Sequence, residues 1–124
     1  MTATSPRPLR VLVVDDNVDA ADSMAALLGM LGHTAQVVYN GEEVAAQARA
    51  WQPDCILLDI GLPGKDGYEV ARELRAQGSG AKLVALTGWG SEEDRRRTAE
   101  AGFDRHLTKP VEFDALEAVL RELA

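Results

Sequence analysis

Short apolar runs alternate with stretches of helical periodicity along almost the whole chain. Three of the runs, Val11–Val14, Cys55–Leu58 and Leu83–Leu86, contain no polar residue. Such runs are typical of parallel strands that are buried on both faces. The predicted strands are Leu9–Val14, Thr34–Val38, Asp54–Asp59, Lys82–Leu86 and Asp104–Leu107.

Each predicted strand is followed by a segment with the periodicity of a helix. The second of these helices is expected to begin at Asn40, which would cap it together with Glu43 three residues later. The predicted helices are Asp19–Leu31, Asn40–Trp51, Asp66–Ala76, Ser91–Gly102 and a last helix after Pro110. The apolar positions expected to share an inner face are Val18, Ala21, Ala25 and Leu28 in the first helix and Phe113, Leu116, Leu120 and Leu123 in the last.

The fourth predicted helix differs from the others because it offers only small residues to a core. Less apolar burial means weaker anchoring, so this helix is a candidate for a moving element. Ser91 is predicted to cap it, and Trp89 lies either beside the functional site or in an exposed loop. His33 has no metal-ligand spacing and is expected to be a structural residue of a turn.

Five strand–helix units joined by short links predict an α/β fold, with a parallel sheet covered by helices on both faces. Right-handed crossover connections leave few topologies for such a sheet. The length of 124 residues is that of one domain. We expect residues 1–8 to form a disordered tail and residues 9–124 to form the domain.

Composition narrows the classes of function. The formal net charge of −7 disfavours generic nucleic-acid binding, which usually requires a basic surface. The single cysteine, Cys55, cannot form an internal disulfide, which favours a reducing compartment. No apolar run approaches the ~18–20 residues of a membrane span. These features predict a soluble, cytoplasmic protein that does not bind a membrane.

Polar side chains stand where three of the predicted strands end. Asp15 and Asp16 follow the first strand, Asp59 ends the third, and Thr87 follows the fourth. Parallel strands end at one edge of the sheet, where open α/β sheets bind their ligands. Because clustered carboxylates repel one another in a partly dry pocket, they require a divalent metal and a cation. Lys109 is the candidate cation.

These residue types suit phosphoryl transfer. Hard oxygen ligands at strand ends suit Mg²⁺, and a carboxylate can act as a nucleophile towards phosphorus. Asp59 is the candidate nucleophile, while Asp16, with help from Asp15, is the candidate metal ligand. Thr87 can donate a hydrogen bond to the phosphoryl group, and Lys109 can pair with one of its oxygens.

Four motifs, in order and at their spacings, are together highly specific. They are Val13–Asn17, Leu57–Glu69, Ala85–Gly88 and Leu107–Pro110. On these motifs, the chain after its tail resembles the receiver domain of two-component response regulators. The resemblance implies a flavodoxin-like sheet with the strand order 2-1-3-4-5 and five helices on its two faces.

The resemblance also implies a role for each site residue. Asp59 would accept a phosphoryl group from the histidine of a sensor kinase or of a histidine phosphotransfer protein. Mg²⁺ would be bound by Asp59, by Asp16 directly, by Asp15 partly through water, and by the backbone carbonyl of Gly61. Thr87 would donate a hydrogen bond to the new phosphoryl group. Lys109 would form an ion pair with that group.

Near the lysine, one position matches the family and one departs from it. Pro110 would follow a cis peptide bond, as the family commonly has there. The family usually has Tyr or Phe three residues before the lysine, where this chain has His106. With Thr87, His106 is a candidate switch residue that changes rotamer on phosphorylation. The alternative is a largely static surface histidine.

The resemblance implies a signalling switch, whose only chemistry is its own phosphorylation and dephosphorylation, rather than an enzyme. A downstream protein would bind the face formed by the fourth helix, fifth strand and fifth helix. The fifth strand lacks the paired acidic residues of many dimerising, DNA-binding relatives, which favours a monomer. The chain would serve either as a stand-alone regulator or as the receiver of a hybrid histidine kinase.

Three other functions remain as alternatives. A Mg²⁺-dependent phosphohydrolase with an Asp nucleophile typically has a second acid two residues later, where this chain has Gly61. A flavin-binding protein needs a neutral, glycine-rich turn after the first strand, and this one is acidic. A receiver-like interaction module without phosphorylation would not need the full acidic set.

Overall fold

The computed structural model describes residues 8–88 and 92–123, without the side chains of residues 92–95. Ser91 and Trp89, and the predicted tail apart from Pro8, lie outside the described residues. The predicted division into a tail and a domain therefore stays a prediction.

The described chain forms a five-stranded parallel sheet in the order β2-β1-β3-β4-β5. The sheet and five helices confirm the predicted α/β fold class and its strand order. The strands are β1 (Arg10–Val14), β2 (Thr34–Val38), β3 (Cys55–Asp59), β4 (Lys82–Thr87) and β5 (Arg105–Thr108). The helices are α1 (Val18–Met30), α2 (Val44–Trp51), α3 (Gly67–Ala76), α4 (Glu92–Glu100) and α5 (Phe113–Leu123).

Alternate side chains of each central strand enter the two layers of the core, as the pleat of a strand requires. Leu12 and Ile56 point to the layer that contains residues of α2 and α3, with Phe103 from the α4–β5 turn. Val11 and Leu57 point to the opposite layer, which contains residues of α1 and α5. The central strands are therefore buried on both faces.

The second helix begins later than predicted, at Val44 rather than after Asn40. Asn40 Oδ1 accepts a hydrogen bond from the backbone N–H of Glu43 at 3.0 Å. The Asn40 amide also donates to the Glu43 carboxylate. The predicted Asn40–Glu43 pair therefore exists, but it closes a separate turn before the helix.

Two positions predicted to face the core are exposed instead. Val18 is 49% exposed and Phe113 is 44% exposed. Each is the first residue of its helix and follows the carboxyl end of a strand. We attribute the exposure to this position, because a first helical residue there projects past the strands that bury Leu28 and Leu116.

Two buried side chains that can ionise, His33 and Cys55, lie in the core away from the functional residues. His33 Nδ1 accepts a hydrogen bond of 2.9 Å from the backbone N–H of Leu9, and burial lowers the pKa of His33. His33 therefore ties the start of β1 to the α1–β2 turn, as predicted for a turn residue. Cys55 is 0% exposed, and burial, with the charges of Asp104 and Asp54, raises its pKa to about 12.

Candidate functional site

The functional side chains lie at the carboxyl edge of the sheet because of the parallel register. Asp59 ends β3 and lies beside Leu86 of β4. Asp15 directly follows β1, whose last residue Val14 pairs with Leu58. Thr87 is the last residue of β4, is 2% exposed, and comes one residue after the partner of Asp59. The polar residues that follow or end the buried strands, Asp15, Asp59 and Thr87, therefore lie at one edge of the sheet.

Three carboxylates form a compact cluster at this edge. Asp15, Asp16 and Asp59 each offer one oxygen, and these oxygens all lie within 4.8 Å of one another. Asp15 is 4% exposed and Asp59 is 8% exposed, whereas Asp16 faces solvent. The cluster is therefore buried at Asp15 and Asp59 and open to solvent on the side of Asp16.

Lys109 reaches into the cluster from the end of β5. Its Nζ donates to Asp59 Oδ2 at 2.9 Å and lies 3.4 Å from Asp15 Oδ2. Burial lowers the pKa of Lys109, but hydrogen bonding and charge from Asp59 and Asp15 outweigh it, so the pKa is raised. The ammonium is therefore charged at neutral pH. We call Asp15, Asp16, Asp59 and Lys109 the acidic notch.

Backbone contacts place Lys109 at the edge as well. The N–H of Lys109 donates to the carbonyl oxygen of Thr87 at 2.7 Å. The peptide bond between Lys109 and Pro110 is cis, as the resemblance implies. Lys109, 50 residues from Asp59 along the chain, is thus positioned by the strand beside it.

Two backbone amides orient the carboxylates, and the sequence reasoning did not assign either of them. The N–H of Gly61 donates to Asp59 Oδ1 at 2.8 Å. The N–H of Asn17 donates to Asp15 Oδ1 at 3.0 Å, while Asn17 Oδ1 caps α1 by accepting from Ala20 N–H. An Asn just before the apolar positions of a helix is an N-cap signal that was available in the sequence.

The donor set of the notch fits Mg²⁺. Three carboxylates face one ammonium, so the notch retains negative charge within a partly buried space. Mg²⁺ prefers oxygen ligands and retains several waters, and the open side at Asp16 allows for such waters. The residues present therefore fit the predicted ion.

Comparisons with known proteins agree with this geometry. Residues 11–121 match the family model of the response regulator receiver domain. The chain belongs to this family. It is 34% identical over 115 residues to the two-component response regulator PhoP of Pseudomonas aeruginosa. This match covers 93% of this chain and 51% of PhoP. The chain thus spans about half the length of the curated relatives it matches.

Two solved structures resemble this receiver domain closely. The receiver domain of the sensor histidine kinase PA1611 of Pseudomonas aeruginosa is 32% identical, with a TM-score of 0.85 and coverage of 94% of this chain and 98% of that one. It was determined with a magnesium ion in its active-site cleft. A chain from the Saccharomyces cerevisiae complex of the phosphotransfer protein Ypd1 with the Ssk1 receiver domain has 26% identity, a TM-score of 0.88 and coverage of 94% and 88%.

Membership of the family confirms the resemblance identified from the sequence motifs. Receiver domains are signalling domains rather than classical enzymes. In this receiver domain His106 is half-buried on β5 and lies beside Ala85 of β4. No helix among residues 8–88 and 92–123 has the length and apolar character needed to span a membrane.

Proposed function

We propose that this receiver domain accepts a phosphoryl group on Asp59, with Mg²⁺ as cofactor, from a histidine of a partner protein. One observation carries the proposal: Lys109 contacts Asp59 and Asp15 within a cluster of three carboxylates, in a chain of this family. Asp16 and Asp59 would bind the ion, Asp15 would assist partly through water, and the carbonyl of Gly61 would be a further ligand.

The transfer exchanges one phosphorus bond for another. An oxygen of Asp59 attacks the phosphorus, the new O–P bond forms, and the N–P bond to the donor histidine breaks. Bound Mg²⁺ would offset negative charge on the carboxylates and on the phosphoryl oxygens. Lys109 already lies 2.9 Å from Asp59 Oδ2, so its ammonium can pair with a phosphoryl oxygen after transfer. The Gly61 N–H holds the other carboxylate oxygen.

The phosphoryl donor would be a sensor histidine kinase or a histidine phosphotransfer protein. The solved complex of Ypd1 with a receiver domain supports this class of partner. An apolar groove of about 560 Å³ between α1 and the β5–α5 connection reaches Lys109 and is lined by Met24, Leu27 and Val111, among others. This groove offers a partner protein a surface beside the acceptor.

Phosphorylation would change the conformation of the face formed by α4, β5 and α5, starting from Thr87. Thr87 would donate a hydrogen bond to the phosphoryl group, and His106 on the neighbouring strand would change rotamer. A downstream protein would bind this face in one of two pre-existing conformers. The formal charge of −7 supports a protein target for this segment rather than direct binding of nucleic acid. We infer a monomer.

Labelling with acetyl phosphate tests the acceptor. The parent protein should gain one phosphoryl group in the presence of Mg²⁺ and none after chelation, as measured by intact mass spectrometry. Asp59→Asn should abolish stable labelling, whereas Asp22→Asn, on the outer side of α1 beside Tyr39, should leave it unchanged. Equal labelling of Asp59→Asn and the parent would refute the assignment.

A second variant separates transfer from response. Lys109→Ala should still accept the phosphoryl group, because the carboxylates remain. Its response should be weaker, because the ion pair to the phosphoryl group is lost. The measurement is the shift of amide resonances in β5 and α5 on addition of beryllofluoride and Mg²⁺. A shift as large as that of the parent would contradict the role proposed for Lys109.

A further inference from the structure

The segment that follows the acceptor, residues 60–66, connects β3 to α3; we call it the acceptor loop. Its start is coupled to the site, because the N–H of Gly61 donates to Asp59 Oδ1 at 2.8 Å. A displacement of the loop that reaches Gly61 therefore moves a donor that orients the acceptor carboxylate. It also moves the Gly61 carbonyl, which is a proposed metal ligand.

The far end of the acceptor loop is attached to α3. Asp66 Oδ1 accepts a hydrogen bond from the N–H of Glu69 at 3.0 Å and so caps the helix. Lys65 Nζ forms an ion pair of 2.5 Å with Glu73 on the same helix. These contacts hold the end of the loop, and Leu62 in its middle is 4% exposed and packs into the core layer of α2 and α3. Beyond Leu62, the outer side of the loop meets the turn that precedes α2.

The turn between β2 and α2, residues 39–43, adds a contact on the outer side of the loop. Gly41 is buried, and a Cβ atom at this position would overlap the carbonyl oxygen of Lys65 and lie 3.0 Å from Val70 Cγ2. A Cβ at Gly64, on the loop side, would lie 3.3 Å from Glu42 Oε1. The turn and the loop are therefore in direct contact, at a distance that only glycine at position 41 permits.

The turn itself is braced from within. Asn40 Oδ1 accepts from the N–H of Glu43, and the Asn40 amide donates to the Glu43 carboxylate. This pair precedes the helix and does not belong to it, as the start of α2 at Val44 shows. The bracing fixes the backbone of Gly41 where it meets Lys65.

We propose that Gly41 is a positioning residue for the Mg²⁺ site: the β2–α2 turn sets the acceptor loop, and the loop sets Gly61 and Asp59. The proposal rests on the proposed function, because it concerns binding of the same ion. Because Gly41 has no side chain, the backbone of the turn can lie directly against the backbone of the acceptor loop at Lys65. Loss of a hydrogen-bond partner of a metal ligand commonly changes metal affinity by about 10–100-fold. Gly41 acts one step further out, through the loop, so we expect an effect at the lower end of that range.

The test is Gly41→Ala, with Gly80→Ala as its matched control. Neither glycine has a positive φ, so alanine is allowed at both by backbone conformation. They differ in space, because nothing lies within 4 Å of a Cβ at Gly80. Val119→Ala, in α5, is a second control that lowers stability without touching the loop.

Two readouts are needed, one without metal and one with it. In the metal-free protein, amide resonances of the acceptor loop should shift in Gly41→Ala and stay in place in Gly80→Ala. In a calorimetric titration with Mg²⁺, Gly41→Ala should bind about tenfold more weakly than the parent. Both controls should bind as the parent does. If Gly41 had a purely structural role, Gly41→Ala would lower stability, as expected of Val119→Ala, without changing Mg²⁺ affinity.

Gly41→Ala with unchanged Mg²⁺ affinity overturns the proposal. If that variant does not fold, Asn40→Ala decides, because it loosens the turn without filling space. Asn40→Ala should weaken Mg²⁺ binding, and Asn40→Ser, which keeps an acceptor for the Glu43 N–H, should restore much of it; unchanged affinity in Asn40→Ala again overturns the proposal. Absence of Mg²⁺ binding by the parent would instead refute the proposed function, and the positioning role with it.

Discussion

The two helices that flank β5 are attached to the protein in different ways. α5 buries Leu116 and Leu120, which are 0% and 1% exposed. Among the α4 side chains that the structure describes, residues 96–100, only Thr98 is buried. Arg97 of α4 instead lies over the ring of Tyr68 in α3, 4.5 Å from its centroid. Among the side chains that the structure describes, α5 is therefore attached by apolar burial, whereas α4 has the cation–π contact of Arg97 and the buried Thr98.

This difference matters for a switch. Elements with little buried apolar surface open at a low free-energy cost, whereas elements rooted in the core open only with the whole domain. We therefore expect α4 to belong to the first class and α5 to the second. The face formed by α4, β5 and α5, where we propose that a partner binds, would then combine a helix that can shift with a helix that stays in place.

The largest effect is expected from breaking the apolar attachment. Leu116→Ala should lower the free energy of unfolding by about 2–5 kcal/mol, because it removes buried methyl groups and leaves a cavity in the core. Urea denaturation measures the loss. Glu117→Ala, at the neighbouring position, is the control and should change stability little. A loss below about 1 kcal/mol for Leu116→Ala would remove the contrast between the helices.

Native-state hydrogen exchange should show the same contrast without a mutation. Amides of α4 should exchange through local opening at least about tenfold faster than those of α5, after correction for intrinsic rates; tenfold corresponds to ~1.4 kcal/mol. The central turns of each helix should be compared, because helix ends fray. Equal protection in both helices would show that α4 is as firmly attached as α5.

A smaller effect is expected from removing the cation–π contact of α4. Arg97→Ala should cost about 0.5–1 kcal/mol, the range for exposed cation–π pairs, and should speed exchange in α4. Arg96→Ala, an exposed arginine of the same helix, is the matched control. If both variants behave alike, the contact with Tyr68 does not anchor the helix.

The smallest effect concerns the ion pair between Arg105 of β5 and Glu122 of α5, 2.6 Å long and exposed. Hydrogen bonding and charge from Arg105 lower the pKa of Glu122 below its ordinary 4.5. Such a pair stabilises the fold above pH 4.5 and loses its effect as the pH falls through the lowered pKa. Glu122→Gln should therefore lower stability at pH 7, but only slightly, because both side chains are exposed. Urea denaturation at several pH values should show this difference fade in acid, and a difference that persists in acid would contradict the assignment to the ion pair.

Much of the fold could be predicted because the three central strands are buried on both faces. Runs such as Val11–Val14 and Cys55–Leu58 contain no polar residue, so their position is unambiguous. The carboxylates after them interrupt the apolar pattern and so mark the edge of the sheet. The parallel register then brings Asp59 and Asp15 together, 44 residues apart in the chain.

Features that depend on where elements meet could not be predicted from local patterns. Periodicity identified the apolar face of α1 and of α5, but not that Val18 and Phe113 lie too close to the edge to be covered. The Asn40–Gly41 pair signals a turn, whereas its contact with Lys65 depends on two distant segments. Asn17 is different, because its capping of α1 depends on local sequence alone and could have been predicted.

The solvent-free surroundings of the one cysteine provide an internal reporter. A thiol with a pKa of about 12 and no exposed surface reacts with alkylating reagents only in molecules whose central strand has come apart. Brief exposure to iodoacetamide, followed by mass spectrometry, would therefore count unfolded molecules directly. Each variant above retains Cys55, so neither a labelling site nor a dye has to be introduced.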